Sequence, residues 1–159
     1  MSALGPAMSN YKADDKETMR NKKKLMALIK LPGNNVCADC PTRIAQNGWA
    51  SINLGQFICF QCSGIHRNLG VHISKVRSLN LDSWNDDWVA NCERWGNHKA
   101  KAYWEDRMDA STKKPTIEDA QAQNHTLKSF IRDKYENKRW AAPVPLEQFL
   151  AQHGGGGGG

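Results

Sequence analysis

The chain has 159 residues, 40% hydrophobic and 24% charged, which suits one globular domain with a small appendage. Its net charge of +6 favours a polyanionic partner, whether nucleic acid, an acidic membrane surface or an acidic protein. No run of about 18 apolar residues occurs, which excludes a membrane-spanning helix, and the N-terminus lacks the apolar stretch of a secretory signal. Five cysteines without such a signal imply a reducing compartment, where thiols serve metal or catalysis.

Residues 1–13, opening MSALGPAMSN, read as a disordered lead-in. Asp14 or Asp15 caps a helix predicted to run to about Lys30. Met19, Met26 and Ile29 are expected on its buried face, with Leu25 and Leu28 beside them and NKKKL toward solvent. Pro32 and Gly33 stop it. In WASINLGQFICF, Ala50, Ile52 and Leu54 alternate with Trp49, Ser51 and Asn53, as in a half-buried strand. Gly55 invites a turn and FIC leads back, so a short hairpin is predicted. FQCSGIHRNLG reads as one short helix closed by Gly70, and KVRSLNL as another strand.

A further helix is predicted from Ser83, with Trp84, Trp88, Cys92 and Trp95 on one side, ending at Gly96 and Asn97. HKAKAYWEDRM continues as the next, with Ala100, Tyr103 and Trp104 inward. After the loop STKKPT, one helical pattern runs from about Ile117 to Trp140, with Leu127, Phe130, Ile131 and Tyr135 apolar. AAPVPLEQFL reads as a proline-punctuated tail, and six glycines as a flexible linker. The predicted organisation is a disordered segment over 1–13, a folded domain over 14–140, and a tail over 141–159. The fold class is α+β: a short antiparallel sheet and a small cysteine-bound metal finger, surrounded by helices.

Cys37 and Cys40 form one C-x2-C pair and Cys59 and Cys62 another, with 18 residues between them. Each pair is a compact turn that aims two thiolates at one ion, and the hairpin between brings the turns together. Four thiolates satisfy the tetrahedral preference of zinc. Two redox dithiols would need the βαβ context of a thioredoxin-like site. A rubredoxin-like iron site fits the same ligands but is less usual in this setting. Four cysteines fill the shell, and a catalytic zinc keeps a position open for water, so the expected zinc is structural. His66 and His72 are then not needed as ligands and are expected to pack or hydrogen-bond. Cys92 reads as a small buried apolar residue.

Arg67 lies five residues after Cys62, roughly 140° around a helix. Cys62, Ile65, His66 and Leu69 share the inward face, so Arg67 points to solvent from a helix pinned by metal. No Asp or Glu occurs from Pro41 through Leu81 to pair with it locally. The same count weakens a nucleic-acid reading. With four thiolates on zinc and Asp39 included, the finger from Cys37 to Leu81 carries only about +1. Nucleic-acid modules present a denser basic stripe. The stronger basic runs are KKK at 22–24 and KSFIRDKYENKR, read as solvated helix faces or, second, as contacts to an acidic membrane.

These residues resemble the zinc-finger domain of Arf GTPase-activating proteins. The resemblance rests on Cys59, Cys62 and Arg67, on WASINLG, on CSGIHRNLGVHISKVRSLNLDSW, and on the later GN and WE. FIRDKYENKRW is similar to the closing helix of the stromal membrane-associated type. The spacing of 18 between the cysteine pairs is longer than usual in the family, and the extra length falls in PTRIAQNG, before Trp49.

The resemblance implies an activator of GTP hydrolysis by Arf, not an enzyme by itself, with Arg67 supplied in trans to the phosphates. It implies that Trp49, Ile52 and Asp82 support the GTPase contact or the geometry of the site. It further implies one structural zinc, a GTP-bound Arf partner, and a monomer on the cytoplasmic side of Golgi or endosomal membranes, working with coat proteins or acidic lipid. Two other readings stand beside it: a zinc-finger nucleic-acid binder, against which the acidic LDSWNDDW after the finger argues, and a catalytically silent adaptor of the same fold.

Overall fold

The computed structural model describes residues 14–153. The expectations for residues 1–13 and for the terminal glycines lie outside the described residues. Helix α1 spans Asp15–Ile29, and Asp14 caps it by accepting the Glu17 N–H at 2.7 Å. Its buried row is Asn21, Leu25 and Ile29, with Met26 and Leu28 against its edges. Met19 is 67% exposed, contrary to expectation. Asn21 takes the inward position instead because its amide donates to the Trp84 carbonyl at 2.8 Å, tying α1 to the segment before the third helix. With Asn21, Leu25 and Ile29 inward, Met19 falls on the far side of the helix.

Three short strands form one antiparallel sheet in the order β2-β1-β3: β1 Trp49–Ser51, β2 Gln56–Ile58 and β3 Val76–Ser78. Ala50 faces Phe57 on one side and Arg77 on the other. The hairpin is as predicted, but it is not half-buried. Ser51 is as inaccessible as Ala50. Helix α2, Phe60–Leu69, covers one side of β1, and the later helix over Gly96–Trp104 lies against β2. KVRSLNL yields only three strand residues, because Ser78 turns the chain: its N–H donates to Asp82 at 2.8 Å and its Oγ accepts the Leu81 N–H at 3.0 Å.

Helix α3 spans Asp86–Arg94 and α4 spans Gly96–Trp104. The first starts later than Ser83 because Asn85 is the cap, accepting the Trp88 N–H at 2.8 Å. Trp84 is buried all the same, donating from its indole to the Ser78 carbonyl at 2.8 Å. Ala100, Tyr103 and Trp104 of α4 face inward as expected. Asn97 anchors this corner: its side chain accepts the Phe57 N–H at 2.8 Å and donates to the Val36 carbonyl at 2.8 Å.

The single helix expected over Ile117 to Trp140 is divided. Helix α5 is Ile117–Ala122 and α6 is His125–Ile131, which widens into a π turn over Arg132–Glu136. Between them Gln123 is left-handed, at φ 46°. Asn124 then caps α6 through the Leu127 N–H at 3.1 Å and also donates to Asp119 at 2.7 Å. These local side-chain bonds replace the helical ladder at that point.

The proline-punctuated stretch is not a trailing linker as far as His153. Leu146–His153 forms helix α7. Phe149 stacks on Trp95 with ring centres 6.0 Å apart and meets Tyr103 edge-on at 5.2 Å. The Tyr103 hydroxyl donates to the Val144 carbonyl at 2.7 Å. Two buried residues, Phe149 and Leu150, dock it on α4, while Leu146 stays exposed.

Candidate functional site

Cys37 and Cys40 sit in the turn after α1, while Cys59 and Cys62 open α2. The four sulfurs lie within 4.8 Å of one another, and all four side chains are buried. Cys40 and Cys59 sulfurs are 3.7 Å apart. A tetrahedron of sulfurs around zinc, with Zn–S near 2.3 Å, has edges of about 3.8 Å. Donor set and spacing therefore suit a zinc site. The backbone N–H groups of Asp39 and Cys62 point at the Cys37 and Cys59 sulfurs, at 3.4 and 3.5 Å, and would stabilise thiolates. The long inter-pair segment is absorbed as a surface turn: Ala45, Gln46 and Asn47 are exposed, while Ile44 dips into the core. It leaves the cysteines convergent.

Cys59 doubles as the N-cap of α2, so the metal turn and the helix share one residue. Cys62, Ile65, His66 and Leu69 are the inward face, as the spacing predicted. Gly70 ends the helix at φ 99° and ψ 150°, a region open essentially to glycine alone. The His72 ring lies over it, 2.7 Å from where a Cβ would stand. Arg67 is exposed. Its guanidinium sits 4.6 Å from the centre of the Trp49 ring, a cation–π support. Phe60 meets the same indole at 6.2 Å. Burial holds the Arg77 guanidinium below its ordinary value, opposed by Asp82 and reinforced by the charge of Arg67.

Beneath the cysteines lies a closed polar network. Asp39 is fully buried. One of its oxygens takes Lys134 Nζ at 2.9 Å and the Tyr135 hydroxyl at 2.6 Å. The other meets His66 Nε2 at 2.7 Å. The remaining His66 nitrogen is 2.8 Å from Ser74 Oγ, which donates to Ser51 at 2.7 Å. Lys134 also donates to Glu105 at 2.7 Å and to the Ala38 carbonyl at 3.1 Å, so all three of its protons are placed. Burial pushes the Asp39 carboxyl up, but Lys134 and His66 outweigh it and hold it well below the usual carboxylate range. Burial likewise works against the Lys134 charge, and Asp39 and Glu105 overcome it, so its value is raised.

The comparisons with known proteins agree with this geometry. The ArfGap family model, described as "Putative GTPase activating protein for Arf", matches residues 22–144. The chain belongs to the ArfGap family. An Arabidopsis thaliana protein, "Probable ADP-ribosylation factor GTPase-activating protein AGD15", is 46% identical over 128 residues, covering 80% of this chain and 50% of its own length. Human stromal membrane-associated protein 1 is 41% identical over 116 residues, covering 73% of this chain and 23% of its own length. A solved ArfGap domain of HIV-1 Rev binding protein superposes with a TM-score of 0.69 at 30% identity, covering 84% of this chain and 95% of that one. The chain spans half or less of the length of the curated relatives it matches.

Within this ArfGap domain the residues singled out in the sequence do not all fall together. The four cysteines and Arg67 share α2 or its metal turn. Trp49 lies directly under Arg67. Asp82 is exposed beyond β3, and Ile52 is buried, only 4% accessible, so its side chain serves the core rather than the surface. Cys92 is inside the core, and burial pushes its thiol up to about 12. The Asp39 network was not foreseen. Lys134 counted only as one cation of a run thought to be solvated, and it is wholly buried. The KYE stretch carries no spacing signal that would single out Lys134 and Tyr135, because their partner is about a hundred residues away in sequence.

Proposed function

We propose that this chain activates GTP hydrolysis by an Arf-type GTPase, contributing Arg67 in trans and no nucleophile or base of its own. The observation that carries the reading is the setting of Arg67. It is exposed on a helix whose first turn holds two of four convergent cysteines, with its guanidinium backed by Trp49. A planar, permanently charged fork suits phosphoryl oxygens better than an ammonium does. Arginine fingers of this type raise GTP hydrolysis roughly 10^3- to 10^5-fold.

One structural zinc would be held by Cys37, Cys40, Cys59 and Cys62. When bound, it supplies no reaction chemistry and fixes the start of α2 relative to the preceding turn. The reading extends to a monomer acting with a GTP-bound Arf protein on the cytoplasmic side of Golgi or endosomal membranes, in vesicle traffic. The test is single-turnover hydrolysis by GTP-loaded Arf with and without this protein. Stimulation by the wild type, lost in Arg67→Lys, supports the activator. Binding without stimulation makes the chain a silent adaptor of the same fold.

A further inference from the structure

The two basic runs of the sequence differ in how much of their charge is paired within the fold. In the C-terminal run, Lys134 is enclosed by Asp39 and Glu105, Arg132 pairs with Glu136, and Arg139 pairs with Asp133 at 3.0 Å. Lys134 alone is buried; the Arg132 and Arg139 pairs lie at the surface, and Lys128 and Lys138 are exposed with no ion pair among the described residues. In α1, Arg20 is taken by Asp86 at 2.9 Å. Lys16, Lys22, Lys23 and Lys30 form no ion pair among the described residues, and all four are exposed.

Their arrangement follows from helix geometry. Lys16, Lys23 and Lys30 are spaced by seven, close to two full turns, so they fall nearly on one line along α1. At 1.5 Å per residue that line is about 21 Å long. It lies opposite the buried row of Leu25 and Ile29. The acids of the first turn, Asp15 and Glu17, flank Lys16 in sequence and so sit roughly 100° to either side of it. Met19 is 67% exposed between the first two lysines, and Leu31 is 50% exposed beyond the last. Ala27 and Arg20 are also exposed near the line, and Arg20 holds Asp86 beside it. The outer face is thus a row of lysines, free of acid along the line itself and carrying exposed apolar side chains.

We propose that this face of α1 docks on an anionic lipid surface. The lysines meet the headgroups, and Met19 and Leu31 enter the acyl boundary beneath them. Charge decides for a polyanion, and the apolar residues decide for lipid, because nucleic acid offers no hydrocarbon layer beside its phosphates. A helix that lies in the interfacial plane combines these same elements. Each lysine near an anionic leaflet is worth about 1 kcal/mol, roughly five-fold in partitioning. The attraction is screened as the Debye length shrinks from about 10 Å at 0.1 M salt to about 3 Å at 1 M. The inference does not need the GTPase reading, since lipid binding is measured without a GTPase.

The experiment is co-sedimentation of the whole chain with phosphatidylcholine vesicles, with and without phosphatidylserine, at low and high salt. The comparison is with Lys16→Gln/Lys23→Gln/Lys30→Gln, in which glutamine keeps helix propensity and every changed residue is exposed, so circular dichroism should not change. The expected result is binding to phosphatidylserine vesicles alone, weakened by salt and reduced on the order of a hundred-fold in the triple variant. Met19→Ser should lower the binding further without altering its dependence on phosphatidylserine. Equal partitioning of the triple variant and the wild type overturns the proposal, as does equal binding to neutral vesicles. Duplex DNA binding tighter than vesicle binding, and lost in the same variant, also overturns it and gives the face to nucleic acid.

Discussion

At the scale of single residues, Arg67 and Lys134 are both cations on helical segments, and the fold gives them opposite work. Arg67 is exposed, with Trp49 beneath its guanidinium. Arg67→Lys is expected to leave fold and metal content unchanged and to lose stimulation of GTP hydrolysis by roughly 10^3-fold or more. Zinc analysis and single-turnover kinetics on the same sample check both halves. Trp49→Ala removes the ring beneath the guanidinium. An exposed cation–π contact is worth about 0.5–1 kcal/mol, so a loss of about two- to five-fold in stimulation is expected, far smaller than for Arg67 itself. Lys134 instead holds the interior together. Lys134→Met would leave Asp39 and Glu105 facing each other without their shared cation. Removing one member of a buried ion pair costs about 3–5 kcal/mol, which urea denaturation should read as a large fall in the midpoint.

At the scale of elements, α2 is the unit that matters, because it is fixed at both ends. Cys59 caps its start and belongs to the metal turn, and Gly70 ends it in a conformation that other residues reach only with strain. Gly70→Ala combines that strain with a clash against the His72 ring. A cost of about 1–3 kcal/mol in stability is expected from the backbone alone, measured by chemical denaturation. Losing the metal should act more strongly. Structural zinc contributes on the order of 10 kcal/mol in small zinc peptides, so chelation or Cys62→Ser is expected to release the finger and abolish stimulation, with loss of near-ultraviolet circular dichroism. The limits of α2 were legible from sequence, since cap, spacing and terminal glycine are all local signals. The start of α3 and the break at Gln123 were not, because Asn85 and Asn124 each offer a side-chain cap that periodicity alone does not reveal. The two-sided burial of β1 was equally hidden, since Ser51 is covered by a helix that follows it in the chain.

At the scale of the whole molecule, the C-terminal segment changes from an appendage into part of the core. Phe149 sits between Trp95 and Tyr103, and α7 depends on that contact. Phe149→Ala is expected to cost about 3–5 kcal/mol if the cavity does not collapse, read as a lowered melting temperature. The charge balance is also decided here: burial and pairing take up Arg132, Lys134 and Arg139, while the lysines along the outer line of α1 stay exposed and unpaired among the described residues.

The sequence by itself determined the convergent set of four cysteines, the outward aim of Arg67 and the α+β class. Each depends on residues within one turn, one helix or one hairpin, where spacing fixes direction. Only the tertiary structure decided which aromatic lies under Arg67, where Lys134 spends its charge, and that α7 docks. Lys134 and Asp39 are 95 residues apart in sequence, and such a pair leaves no periodic trace. Burying a charge is favourable only when its partner arrives from elsewhere in the chain, and that partner is visible only once the chain has folded.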